Sequence, residues 1–200
     1  RFWKNAQVAS VDNGFVIELD GQVIRTPSKA LLKVESHKIA EQIAFEWMAQ
    51  KKVVNPATMP NTRMANSVID KIMVNREAVI DMLAEYAGSD LLCYRATTPQ
   101  GLINHQNEIW NPILNWSKNS LLAPMLTTSG VMHIKQSIKS ISIYQDKLEE
   151  MNPYQLAGMH DLITISGSFV ISMALISNQL NVSDAWYAAT VDERWQEKQW

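Results

Sequence analysis

The spacing of apolar residues changes once along this chain, near Ser36, and that change limits the fold to a small β unit followed by helices. Upstream of it, between Phe2 and Val34, short alternating runs are broken by Asp12-Asn13-Gly14 and by Asp20-Gly21. Asn-Gly and Asp-Gly pairs take up the positive φ of tight hairpin turns. Residues 8–11 and 15–19 therefore read as antiparallel strands, with 22–25 and 31–34 as shorter additions. Downstream, Ser36 is a good helix N-cap, and Ile39, Ile43 and Trp47 recur every four positions beside Ala40, Ala44 and Met48. The expected fold class is α+β, with a small N-terminal antiparallel β domain over residues 1–35 and a larger all-helical domain over 36–200.

Helical spacing returns in Met64, Val68, Ile69, Ile72 and Met73, and again in Val79, Ile80, Leu83 and Tyr86, with Gly88 as the stop. Leu91 to Tyr94 is too short to assign to helix or strand by period. A helix carrying Leu102, Ile103, Gln106, Ile109 and Trp110 follows. Asn111-Pro112 reads as a cap with Pro at the first position of a new helix through Trp116. Ser129-Gly130 marks a loop and Ile138 to Leu148 a helix. Asn152-Pro153 opens a long apolar helix to about Asn178, and Ser183-Asp184 opens a last helix that runs to the end.

Several function classes are disfavoured by what is missing. The formal net charge is −2 and no run of Lys or Arg forms a stripe for phosphate backbones, so nucleic acid is not an expected partner. No apolar run reaches the roughly 18 residues of a membrane span, so no membrane insertion is expected. The single cysteine, Cys93, rules out an intrachain disulfide and suits a reducing compartment.

A search for chemistry comes back nearly empty. His37, His105, His133 and His160 have no second imidazole at i+3 or i+4, so no metal site is expected. Neither a dinucleotide fingerprint nor a P-loop is present, and no cofactor is expected. Cys93 lacks an adjacent base and reads as a small buried hydrophobe. His160-Asp161 with Ser166 and Ser168 has the residue types of a hydrolase, which keeps a small hydrolase or transferase as the alternative function. The stretch lacks the strand-turn-helix elbow that exposes a nucleophilic serine, however, and its small residues suit close helix packing. Near the C-terminus, Asp192, Glu193, Arg194, Trp195, Gln196 and Glu197 place acids beside an aromatic. Glu193 and Glu197 share one helix face, whose plain reading is a solvated surface, while Trp195 and Trp200 point elsewhere.

Taken in order, several strings resemble one family. They are Arg1-Phe2-Trp3-Lys4, Arg25-Thr26-Pro27 with Lys29-Ala30, Glu46-Trp47, Met59-Pro60 with Thr62-Arg63 and Ala65-Asn66, Gly88 through Arg95 (GSDLLCYR), Trp110-Asn111-Pro112, Gly130-Val131-Met132, and Val191-Asp192-Glu193 with Trp195-Gln196 and Gln199-Trp200. Together they are similar to the mitochondrial and alphaproteobacterial chaperones that attend the α subunit of the F-type ATP synthase head, over essentially the whole length.

The resemblance implies a β domain followed by a helical domain, no catalytic residue and no cofactor. It also implies an ATP-independent chaperone, expected to be monomeric, whose partner is the unassembled ATP synthase α subunit, held soluble until the β subunit takes it over. The acidic residue important in that family matches Glu193 best, with Asp192 as its neighbour, and the expected partner-binding set is Glu193, Asp192, Glu197 and Trp195. Trp47 reads as core by its spacing. Asp90 and Arg95 are left open between an interface pair and internal partners, as are Arg63 and Asn66 between structure and contact. The family continues for tens of residues past its Gln-Trp pair, so a further C-terminal helix is expected beyond Trp200. The expected location is the bacterial cytoplasm, since Arg1 follows no trace of an Arg- and Ser-rich presequence, with the mitochondrial matrix as the alternative.

Overall fold

The computed structural model describes residues 2–198; Arg1, Gln199 and Trp200, which belong to the first and last of the matched strings, lie outside the described residues. N-terminal antiparallel strands are followed by a helical region, an α+β arrangement by segregation. The chain divides into two compact units, residues 1–76 and 77–200.

In the first unit, β1 (Ala6–Val11) and β2 (Gly14–Leu19) form an antiparallel hairpin with Ala6 opposite Leu19 and Val11 opposite Gly14. The turn residues behave as their types predict: Asn13 and Asp20 have φ of 57° and 48°, and Gly21 has φ of 84°. Two short strands, β3 (Gln22–Val23) and β4 (Lys33–Val34), also pair with β2. Gly14 sits where these strands crowd: a Cβ there would stand 2.8 Å from the Val34 carbonyl oxygen.

Ser36 Oγ accepts the Ile39 N–H at 3.4 Å and opens α1 (His37–Ala49). The helix lies against β1, β2 and β4 and buries Ala40, Ile43 and Ala44. Because α1 covers the sheet, the first unit does not end at the change of period; it extends through α2 (Pro60–Ser67) and the π turn Val68–Ile72 that continues α2. Trp47 is half-buried, edge to face with the buried Trp3 at 5.2 Å.

The first turn of α2 has no side-chain cap of its own. The buried Glu46 carboxylate supplies one from α1. It accepts the Asn61 and Thr62 backbone N–H groups at 2.6 and 2.8 Å, the Asn61 amide at 2.8 Å and the Thr62 hydroxyl at 2.6 Å. A buried carboxylate is tolerated when its oxygens are bonded, and the positive end of a helix dipole suits a negative charge.

The second unit opens with α3 (Arg76–Ala87), a 3-10 turn over Leu91–Cys93 and the two-residue strand β5 (Tyr94–Arg95). Next come α4 (Gln100–Trp116), a π turn (Ser117–Leu121) and β6 (Thr128–Ser129), which pairs in parallel with β5. Then follow α5 (Ile138–Glu149), α6 (Pro153–Ser166), α7 (Phe169–Ile176), α8 (Val182–Ala189) and α9 (Val191–Glu197). Trp110, Tyr144, Leu148, Leu156, Met159 and Phe169 are fully buried, with the Tyr144 and Phe169 rings 4.7 Å apart.

Three helix boundaries differ from the sequence reading. Pro112 does not start a helix; it lies inside α4. It forfeits one helical hydrogen bond, but Trp110, Ile113 and Leu114 are buried on either side, and the Trp110 indole donates to the Ala188 carbonyl at 2.8 Å. The helix expected from Asn152 to Asn178 is broken at Gly167, which adopts φ 68° as the C-cap of α6, and Ser168 caps α7 by accepting the Ile171 N–H at 3.0 Å. The last helix divides at Thr190, whose N–H bonds to the Trp186 and Tyr187 carbonyls before α9 sets off.

Candidate functional site

The four residues of the expected partner-binding set all fall on α9, and the structure sorts them by what they touch. Asp192 is turned toward α4: its Oδ1 accepts the Gln106 side-chain amide at 2.7 Å, and Gln106 in turn accepts the Ala96 N–H at 2.8 Å. Trp195 packs on the N-terminal turn of α4, so that a Cβ on Gly101 would come within 2.7 Å of its ring, and it lies beside the His105 ring at 6.4 Å. Glu193 and Glu197 are exposed, one helical turn apart, and neither carboxylate has a hydrogen-bond or ion-pair partner among the described residues. Arg194, between them in sequence, is engaged elsewhere: its Nε donates to Thr190 Oγ1 at 2.9 Å, and its guanidinium lies 5.1 Å from the centre of the Tyr187 ring.

Glu193 and Glu197 line an open hollow of about 580 Å³. Its other walls are Thr164 to Gly167 at the end of α6, Trp186 and Ala189 on α8, Thr190 and Arg194 at the start of α9, and Leu91 below. Ile165 is 66 % exposed and Trp186 50 % exposed. The sequence reading missed both. Ile165 fell inside an expected continuous helix, where no spacing distinguishes an outward residue from an inward one, and Trp186 had only its own apolar character as a signal.

The block from Gly88 to Arg95 is scaffold under this hollow. Asp90 is fully buried and accepts from Ser168 Oγ (2.9 Å), the Val170 N–H (2.9 Å) and the Leu92 N–H (2.9 Å). Burial nevertheless outweighs these donors and raises its carboxyl to about 6. Arg95 does not pair with Asp90. Its Nε donates to the Leu92 carbonyl at 3.0 Å and its Nη1 to Asn107 Oδ1 at 3.2 Å, while its guanidinium stacks 5.1 Å from the Trp110 ring. Cys93 is completely buried, and burial pushes its thiol up to about 12, so it stays a protonated core residue.

The residues of the alternative hydrolase are not assembled as a triad. His160 Nδ1 and Asp161 Oδ1 lie 3.2 Å apart on an accessible face of α6. Ser168 is buried with its hydroxyl on Asp90, and the Ser166 hydroxyl donates to the Ser168 carbonyl at 3.1 Å. Among the described residues no group of three His, Cys, Asp or Glu side chains could hold a metal. No described helix is long and apolar enough to cross a membrane.

Comparison with known proteins shows which family the chain belongs to. The model of the ATP12 chaperone protein family matches residues 1–118. The chain belongs to the ATP12 chaperone family. A mitochondrial atp12 protein of Schizosaccharomyces pombe is 26 % identical over 212 residues, covering 100 % of this chain and 73 % of the relative. The crystal structure of Atp12 from Paracoccus denitrificans superimposes with a TM-score of 0.94 at 34 % identity, covering 100 % of this chain and 86 % of the other. The crystal structure of the Atu1473 protein from Agrobacterium tumefaciens gives a TM-score of 0.93 at 39 % identity, covering 100 % of this chain and 75 % of that one. As an ATP12 chaperone, the protein serves ATP synthase assembly.

Proposed function

We propose that this ATP12 chaperone binds the unassembled α subunit of ATP synthase, keeps it from aggregating and yields it to the β subunit, with no nucleotide and no catalysed step. The observation that supports this reading is the face made by α9 with the end of α6: two carboxylates, Glu193 and Glu197, without a partner among the described residues, beside the exposed Ile165 and Trp186. An unassembled subunit exposes apolar surface that is liable to aggregate, and covering it calls for complementary shape and charge rather than a reactive group. The buried, bonded hydroxyl of Ser168 and the protonated Cys93 thiol accord with a protein that performs no chemistry. It acts as a monomer in the compartment where the ATP synthase head is built, the bacterial cytoplasm or the mitochondrial matrix.

The test is to mix the purified protein with separately expressed α or β subunit and follow co-elution and solubility, with Glu193→Lys as a second sample. Rescue of α but not β, weakened by the substitution, is the expected result. Binding to neither subunit, or to β alone, overturns the reading.

A further inference from the structure

The hollow under α9 continues along α8 into a second, apolar one. Ile165, Ser166, Trp186 and Ala189 line both, and the second, about 130 Å³, adds Leu162, Ile171, Leu175, Val182 and Ala185. The result is a groove with two chemically different ends. At one end stands Val182, 73 % exposed, over a mostly apolar floor; Ile165, 66 % exposed, and Trp186 lie between the two ends; at the other stand Glu193 and Glu197, with Arg194 beside them. The eight residues of α8 give the apolar stretch a length of about 12 Å at 1.5 Å per residue, and the first turns of α9 extend it.

We infer that this groove takes an amphipathic segment of the client, with apolar side chains seated over Ile165, Val182 and Trp186 and a Lys or Arg placed against Glu193 and Glu197. This rests on the proposal that the client is the ATP synthase α subunit. Charge complementarity selects the occupant. The two carboxylates lie on one helix face with no cation among the described residues paired to them, and Arg194, which lines the same hollow, is held by Thr190 and Tyr187. A half-exposed Trp at the junction of the apolar and acidic ends is the residue type that dominates binding energy at interfaces. The carboxylates at one end set the direction in which the segment lies, because reversal would leave its cation over the apolar floor.

A thiol footprint tests this on the full chain. With the native Cys93 buried, Ile165→Cys supplies the one accessible thiol, and its maleimide reaction is followed alone and with purified α or β subunit. Rapid labelling of the free protein and slowing of about tenfold or more by α, but not by β, is expected, the magnitude being that of a contact at the centre of an interface. Trp186→Ala is expected to weaken α binding by about tenfold or more. The pair Glu193→Gln and Glu197→Gln is expected to weaken it and to flatten its salt dependence.

If α co-elutes with the chaperone while the Ile165→Cys thiol stays reactive, the client binds elsewhere and the groove assignment fails although the chaperone reading stands. Slow labelling of the free protein shows the groove already filled by the chain itself, which also overturns the assignment. An unchanged salt slope in the double variant overturns the placement of the cation. If α does not bind at all, it is the client assignment that fails.

Discussion

Gln106 on α4 donates its side-chain amide to the Asp192 carboxylate at 2.7 Å, joining residues 86 positions apart and fixing which way α9 turns. With Asp192 committed inward, Glu193 is delivered to the outside. Neighbouring acids that look interchangeable in sequence therefore have different duties. Asp192→Ala leaves the Gln106 amide without its acceptor and is expected to cost about 1–3 kcal/mol of stability. Glu193→Gln, at an exposed position without a partner, is expected to stay within about 0.5 kcal/mol of the parent. Urea denaturation of the two variants side by side checks this, and equal losses would refute the division.

Asp90 makes stability depend on pH in a predictable direction. Its folded carboxyl titrates at about 6, above the ordinary value of 3.8, so the folded state holds the proton more tightly than the unfolded one. The stabilisation is complete below the ordinary carboxylate range and is lost as pH rises through about 6. Asp90→Asn removes this contribution, so the deficit of the variant relative to the parent should widen by about 1–3 kcal/mol as pH falls from 7 to 4. Urea midpoints of both proteins at several pH values measure it; a constant deficit would show that the carboxyl is not shifted.

Glu46 holds the start of α2, and its four donors have no other acceptor among the described residues. Glu46→Ala is expected to destabilise the first unit by about 2–4 kcal/mol. Glu46→Gln keeps one acceptor oxygen and should cost less. Amide exchange at Asn61 and Thr62 is the local readout: faster exchange in the alanine variant is expected, and an unchanged rate would mean that the cap is dispensable.

Trp195 is held by the absence of a side chain at Gly101. Gly101→Ala forces the ring aside and should destabilise by about 1–3 kcal/mol, the ordinary range for overpacking. Combining it with Trp195→Leu should recover part of the loss. Additive losses in the double variant would place the clash elsewhere.

How far the sequence was legible follows from the kind of signal each element carried. Hairpins were marked by Asn13-Gly14 and Asp20-Gly21, and the start of α1 by Ser36, because turns and caps are enforced by local chemistry. Pro112 misled for the opposite reason: local preference for a helix start was overridden by burial of Trp110, Ile113 and Leu114 around it. The break at Gly167 is completed by a carboxylate 78 residues away in sequence, and the break at Thr190 carries no Gly or Pro. At the candidate site, residue types pointed to α9 but could not divide Asp192 from Glu193, since that division is made by Gln106. Ile165 joined the site only through the turn at Gly167, which brings the end of α6 beside α8.

The distances in sequence over which the two buried carboxylates find their donors bear on the order of synthesis. Glu46 is satisfied by residues 15 and 16 positions later, soon after it leaves the ribosome. Asp90 must wait for Ser168 and Val170. Until residues 168–170 have been translated, the helical unit contains a carboxylate whose burial is offset only by the Leu92 N–H, and closing it early is penalised. The face formed by α6, α8 and α9 therefore comes into being only once Ser168 and Val170 have reached Asp90, after the strands and α1 to α5 have been made.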